Sequence, residues 1–496
     1  MRIAVISLFK QGFGGGSGRV AHEMARQFAI ERDVALICPG EGTELHIEEN
    51  GLRVLSVQSV GERHACVPRL SRKNINAMFD FLDAFRPDII HAHEPASLSL
   101  MGQIWAKMRD VPFVYTAHVL PSHVLEFGAA DAFSFANNPV TETAVRAVFD
   151  NFLRNCDALI ALNRPALVDI RASGYEGDLF TIHNGRDLST FDACPIADVT
   201  SPLRVLTFVG FICERKNQRY LVEVLRHLPA NYCLRLVGEA MEADYERELQ
   251  SLADGLGLGN VVFAGPVTFE EIPRHLQETH VFVSASRMEV QSLVIIEALA
   301  SGTPVVGLAN ETVDELVDAG VGGRVPSDAS PEVFARRVAE ICNLPPVEYE
   351  RMCGNARQRV AHLDWSTVRD MTVRAYERIA SARPDDTVTL RAQLAGILDQ
   401  IRSTELGEIV AERLPAFRHR PRPHGGHALF PFGEQASRVS GATWFYAGLT
   451  RVVSTGIIST RAVSSTLTHT SIPPRLFRMK GLRMDGGRIH TDEHRL

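Results

Sequence analysis

Short, wholly apolar runs alternate with longer stretches of helical period through most of this chain. In the first half the runs are Arg2–Ser7, Val34–Cys38, Val54–Val57, Ile89–Ala92, Phe113–Thr116 and Ala158–Leu162, and the helix-period stretches between them are Val20–Glu31, Asn74–Phe85, Leu98–Lys107 and Ala144–Asn155. A strand with no polar alternation is covered on both faces, so the pattern predicts an α/β fold with a parallel sheet between layers of helix. The alternation pauses between Pro195 and Pro202 and then restarts. Strands are expected at Arg204–Val209, Cys233–Val237, Val261–Phe263, Val281–Ser284 and Val305–Gly307, and helices at Gln218–Leu228, Glu242–Ala253, Phe269–Leu276 and Gln291–Ala300. Helices at Pro331–Ile341, Val347–His362 and Ser366–Ala380 follow. The pattern therefore predicts two doubly wound, Rossmann-like domains, 1–194 and 195–365, then a closing helix at 366–382 and an extension at 383–496.

A chain of 496 residues, 45% hydrophobic and 22% charged, has the composition of a globular protein with room for two or three cores. Its first apolar run is too short for a secretory signal and lacks a small-residue cleavage site, so it reads as a core strand. The most lipophilic long stretch, Leu98 to Leu120, is broken by Lys107, Arg109 and Asp110, and any membrane contact is expected to be peripheral. The eight cysteines form no Cys-x-x-Cys pair, which predicts reduced thiols in a cytoplasm and neither a zinc site nor a disulfide framework. Charge divides unevenly: fourteen basic against seven acidic residues follow Ile401, so that tail carries +7 and the remainder −14 of the net −7. An acidic body argues against nucleic acid as a partner. In the extension, Leu390, Leu394, Ile397, Leu398 and Ile401 keep helical spacing and Leu406, Ile409, Val410 and Leu414 extend it. From Arg418 onward the composition predicts poor order.

Candidate chemistry gathers where strands end. The cluster Gly12-Phe13-Gly14-Gly15-Gly16-Ser17-Gly18 follows the first strand and opens a helix, so backbone there can approach a phosphate or sugar closely. Gly16-x-Gly18-x-x-Ala21 also meets a loose dinucleotide pattern, but that reading wants an acidic residue ending the second strand, where Cys38-Pro39 stands. His118 lies just past Phe113–Thr116, and His91 and His93 share one side of a strand. In the second half Arg215 and Lys216 begin the helix after Arg204–Val209, and cations there would neutralise a diphosphate. Glu289 precedes and Glu297 lies within the helix-period run that ends at Gly302. Two carboxylates flanking a helix start could grip hydroxyls on either side of a bound diphosphate, or could be two solvated charges.

Glu289-x7-Glu297, followed by Ala298-Leu299-Ala300-Ser301-Gly302-Thr303-Pro304-Val305-Val306, resembles the family 4 retaining glycosyltransferases, over roughly Met1 to Ala382. The resemblance implies two facing Rossmann-like domains (the GT-B arrangement), with the last helix crossing back to the first domain. It implies that Gly16 borders the donor phosphates, that His118 meets the donor hexose, and that Lys216 neutralises the leaving diphosphate. The residues around Val267 would hold the base, Ser292, Leu293 and Val294 would offer amides to the phosphates, and Glu289 and Glu297 would bind hexose and ribose hydroxyls. Two departures stand out. Phe211 occupies the position where the family carries an arginine, which makes Arg215 a substitute, and Val290-Gln291-Ser292 replaces the common Gly-Phe-Gly, a variant similar to that of diacylglycerol glycosyltransferases.

The reading is a metal-independent hexosyltransferase that needs no cofactor, taking a UDP- or GDP-sugar as donor and an acceptor hydroxyl. A membrane lipid and a soluble acceptor both stay open, as does a non-catalytic nucleotide-sugar-binding protein of the same fold. Arg69, Arg72 and Lys73, before the helix from Asn74, are the candidate contact with an anionic inner membrane face.

Overall fold

A computed structural model describes residues 1–11, 15–61, 67–124, 139–192, 196–241 and 243–381, together with Ile409. The first sheet holds β1 (Ile3–Ile6), β2 (Val34–Gly40), β3 (Glu44–Ile47), β4 (Arg53–Val60), β5 (Val67–Pro68), β6 (Ile89–Ala92), β7 (Phe113–Thr116), β8 (Ala158–Ala161) and β9 (Asp178–Thr181). Its order is β3-β4-β2-β1-β6-β7-β8-β9, with β5 beside β4. Only β3 and β5 run antiparallel to β4; the pairings from β4 through β9 are parallel. The second sheet holds β10 (Arg204–Val209), β11 (Tyr232–Val237), β12 (Val261–Gly265), β13 (Val281–Ser284), β14 (Val305–Leu308) and β15 (Gly322–Val325). Its order is β12-β11-β10-β13-β14-β15, parallel throughout.

Each sheet reverses its direction of growth once. The first does so between β1 and β6, the second between β10 and β13. At such a switch point the loops leaving adjacent strands diverge to opposite faces and open a crevice beyond the carboxyl ends, where ligands bind in folds of this kind. The central strands β1, β6, β7, β8, β13 and β14 are buried at every position, which accounts for their largely apolar runs. Helix Gly15–Ala29 lays Val20, Ala21, Met24, Ala25 and Phe28 into the core that β1 and β2 share.

The last described helix, Trp365–Ser381, packs on the first domain. Tyr376 meets the Phe28 ring edge-on at 6.1 Å and lies 2.5 Å from His91 Nδ1 through its hydroxyl, while Arg369 pairs with Glu31 at 3.1 Å. Beyond it, Ile409 is buried with the first-domain core. The rest of the 383–496 extension, including the expected poor order from Arg418, lies outside the described residues, as do Gly12, Phe13 and Gly14.

Several elements depart from the sequence pattern. The first helix begins at Gly15, not Val20, so the described glycines form its first turn instead of a loop before it. The expected run Gln291–Ala300 begins at Leu293, with Ser292 as its extended N-cap. Strand β3 is exposed at every position and carries no core signal. Strand β15 reads Gly-Gly-Arg-Val; it pairs in parallel with β14, and Gly322 lies too close to the Val305 carbonyl for any side chain to fit.

Candidate active site

A cleft of about 780 Å³ is lined by the segments that leave β1, β6 and β7 of the first sheet and β10, β11, β12 and β13 of the second. Gly16, His118, Arg215, Lys216, Val267, Glu289, Ser292, Leu293, Val294 and Glu297 all line it. The sequence reading named these residues from segments nearly three hundred positions apart, and the two switch points bring them into one space.

One part of the cleft is charged, and both domains build it. Lys216, on the short helical turn Glu214–Lys216 after β10, ion-pairs with Glu289 after β13, and both side chains are mostly buried. Glu297 is fully buried one turn into helix Leu293–Ala300. Its Oε1 accepts from Arg186 Nε at 2.7 Å and lies 3.6 Å from Arg19 Nη1. Arg186 Nη1 also donates to Glu23 Oε2 at 2.6 Å, and Arg19 Nε to Glu23 Oε1 at 2.9 Å. The two guanidinium groups lie over the Phe269 ring at 3.6 and 4.4 Å from its centre, stacking that strengthens as water is excluded. Burial pushes the Glu297 carboxyl above the usual range, against the opposing pull of Arg186 and Arg19. Glu297 Oε2 has no hydrogen-bond partner among the described residues.

The histidines on and after β6 and β7 form a neutral, packed patch of the first domain. His93 Nδ1 and His118 Nε2 are 3.0 Å apart, and His91 is held by Thr116 Oγ1 at 2.7 Å and by Tyr376. The imidazoles stack in a file, 4.6 Å from His91 to His93 and 5.2 Å from His93 to His118. Burial drives His91 and His118 down to about 3, and His93 well below its ordinary value. Both nitrogens of His91 are engaged by Thr116 and Tyr376, so the placing of His91 and His93 on one side of the strand serves packing.

Three contacts alter the expected roles. The Ser292 amide donates to Thr312 Oγ1 at 2.8 Å, so the donors left at this helix start are Leu293 and Val294. Phe211, standing where the arginine was expected, reaches across the cleft: a Cβ on Gly15 would meet its Cε2 at 3.3 Å, and Gly15 sits at φ +60°. Its ring fills the space beside the glycine turn, and Arg215 and Lys216 remain in the cleft. Gln291 turns to the first domain, where its Oε1 accepts the Asn184 amide at 2.6 Å and its Nε2 donates to Leu162 O at 3.2 Å and lies 2.8 Å from His183 Nδ1. Asn163 Nδ2 returns a bond to Val290 O at 2.5 Å. The Gln291 variant therefore joins the domains, and this accounts for its identity without a lipid.

Sequence reasoning missed Arg19, Glu23, Glu94, Arg186 and Phe269. Glu94 was the most accessible of these, since it follows β6 as His118 follows β7. Arg186 carried no local signal. It is placed by the closing segment, where its amide donates to Leu363 O at 2.9 Å and its carbonyl accepts from Trp365 N at 3.2 Å.

Residues 14–190 match the family model Glycosyltransferase Family 4, and residues 203–343 match Glycosyl transferases group 1. The D-inositol 3-phosphate glycosyltransferase of Mycolicibacterium gilvum is 27% identical over 322 residues, 62% of this chain and 70% of that protein. The protein of the same name from Streptomyces griseus is 36% identical over 326 residues, 58% of this chain and 66% of that one. Among solved structures, sucrose-phosphate synthase from Thermosynechococcus elongatus superposes with a TM-score of 0.63 at 20% identity, covering 77% of this chain and all of that one. Anabaena HepE in complex with UDP and glucose superposes at 0.60 and 21%, with the same coverage. Both likenesses are of fold, the two-domain GT-B arrangement.

Proposed function

This chain belongs to the family 4 glycosyltransferases, and on that premise we propose that it moves a hexose from a UDP- or GDP-sugar to an acceptor hydroxyl with retention of configuration. The observation that carries the reading is the convergence of Lys216, Arg215, Glu289, Glu297 and the Leu293–Val294 helix start on one cleft with His118 opposite. Lys216 and Arg215 would stabilise the charge that develops on the departing diphosphate, where fixed cations in a partly dry site act most strongly. The amides of Leu293 and Val294 would add to it. Glu289 would bind hexose hydroxyls, and Glu297, through the oxygen that Arg186 and Arg19 leave unpaired, the ribose hydroxyls. Val267 would border the base and Gly16 the phosphates. Attack would come from the face that the diphosphate leaves, assisted by that diphosphate, and with two cations at the leaving group no metal is required.

The D-inositol 3-phosphate in the relatives' name makes a phosphorylated inositol the first acceptor to try. A lipid acceptor at a membrane surface is the second, favoured by the exposure of Arg69, Arg72 and Lys73 at the start of helix Arg72–Phe85, each capable of about 1 kcal/mol near anionic lipid. The test is to incubate the purified chain with UDP-glucose or GDP-mannose, with and without excess EDTA, and to follow nucleotide release and product mass. Release from one donor that survives EDTA is expected. No release, together with no binding of UDP or GDP by calorimetry, defeats the proposal.

A further inference from the structure

Arg186 stands in the first domain and spends its side chain on the second. It follows β9, the last strand of the first sheet, and is 1% exposed, while the fully buried Glu297 lies on the helix after β13. An arginine beside a carboxylate ordinarily forks across both of its oxygens. Here Nε and Nη2 both lie on Oε1, at 2.7 and 2.5 Å, and Oε2 is left buried with no hydrogen-bond partner among the described residues. The guanidinium is held in this one-sided pose from behind. Its Nη1 donates to Glu23 Oε2 at 2.6 Å, the Phe269 ring centre lies 4.4 Å away, and the Arg186 backbone is tied to Leu363 and Trp365.

A buried oxygen without a donor is unfavourable, and a hydroxyl seated against it removes the cost. Arg19 does not set this placement, because it lies 3.6 Å from Glu297 and gives its own hydrogen bond to Glu23 at 2.9 Å. We propose that Arg186 is the positioning residue for nucleotide recognition, holding Glu297 by one oxygen so that the other faces the ribose hydroxyls. The inference rests on the reading of Glu297 as the ribose carboxylate and adds what fixes it. Glu297 lines the cleft, whereas Arg186 lies behind it and acts only through it. Guanidinium and carboxylate come from different domains, so the ribose contact is complete only where the two domains meet. A nucleotide that lacks the ribose hydroxyls gains nothing from Arg186.

The test compares a nucleotide with the form that lacks both ribose hydroxyls. Dissociation constants of UDP and 2′,3′-dideoxy-UDP, or of GDP and 2′,3′-dideoxy-GDP where GDP is the tighter ligand, are measured by calorimetry for wild type, Arg186→Gln and Arg186→Lys. Lysine keeps a cation beside the buried carboxylate, so that variant reads placement even where the glutamine variant fails to fold. Wild type is expected to prefer the intact ribose at least about tenfold, the worth of one charge-assisted hydrogen bond. Both variants are expected to bind the intact nucleotide at least about tenfold more weakly and the dideoxy form within about threefold of wild type, so that the preference disappears. Equal losses for the two nucleotides overturn the proposal and make Arg186 a general support of the fold. A lysine variant that keeps the wild-type preference overturns it too, since charge without the planar fork would then suffice. Wild type that binds both forms alike overturns it while leaving the nucleotide-sugar reading intact. Wild type that binds neither UDP nor GDP removes that reading and the inference with it.

Discussion

On the charged wall of the cleft Lys216 faces Glu289 and Arg186 of the first domain holds Glu297 of the second, whereas on the neutral wall, at and after β6 and β7, three imidazoles stack in a file with no counter-ion among them. Both walls are buried, so both have given up water, but they have done so differently. The charged wall keeps its ions by pairing them, and each pair leaves an edge toward the cleft. The neutral wall keeps its histidines uncharged and fills its volume with rings. A donor whose charge grows as its bond breaks is best met by the first arrangement, because cations already fixed in place meet a new charge without reorganising.

Breaking the charged wall is expected to have the largest effect. Lys216→Ala would leave the Glu289 carboxylate without its cation, and Glu297→Ala would leave Arg186 and Arg19 with Glu23 alone. Each is expected to lower kcat/KM for the sugar donor at least tenfold, the consequence of losing one charge-assisted contact of about 1.5–3 kcal/mol. Far-UV circular dichroism should stay native. Rates near wild type for both variants would remove these residues from the site.

The neutral wall is expected to show itself in pH-dependent stability. A histidine near 6.5 when unfolded and about 3 when folded binds more protons unfolded throughout that window. Stability is therefore lost as pH falls from about 6.5 toward 3, by about 2 kcal/mol per such histidine at pH 5 if the group acts alone. Glu94 works in the opposite sense. Its raised carboxyl favours the folded state at low pH and loses that advantage as pH climbs toward 7. The difference between wild type and His93→Gln isolates the histidine file, and the fall in Tm between pH 7 and 5 should be visibly shallower in the variant. Identical slopes would mean that the file does not titrate as a buried group.

Why the charged wall was readable in the sequence and the neutral wall only partly so follows from where each residue sits. Lys216, Glu289 and Glu297 lie beside strand ends and a helix start, within short segments whose period is plain. Their roles could be inferred locally. His118 was found by the same logic, and Glu94 could have been, but its buried, half-satisfied state depends on Leu8 and Ser17, far away in the chain. Arg186 depended on contacts with Leu363 and Trp365 that no local pattern records. The strands were legible because burial on both faces writes an apolar run. Exposed β3 and glycine-rich β15 were not, since the first buries nothing and the second, where a neighbouring backbone leaves no room for a side chain at Gly322, writes no apolar run.

The contact that joins the two domains offers the smallest and most discriminating test. Gln291 belongs to the second domain by sequence, yet its side chain is spent on Leu162, His183 and Asn184 of the first. Gln291→Ala would leave the Asn184 amide, now buried against Gln291 Oε1, without its acceptor. The expected cost is about 1–2 kcal/mol of stability, read as a lower Tm or urea midpoint. Because Asn163 still holds the Val290 carbonyl, the domains should remain joined and the helix start at Leu293 should keep its place. The donor KM is therefore expected to rise less than about threefold, and the choice between a soluble and a lipid acceptor should not change. A variant of wild-type stability that loses activity with lipid acceptors alone would reverse the assignment, returning Gln291 from a joint between domains to a contact with the acceptor.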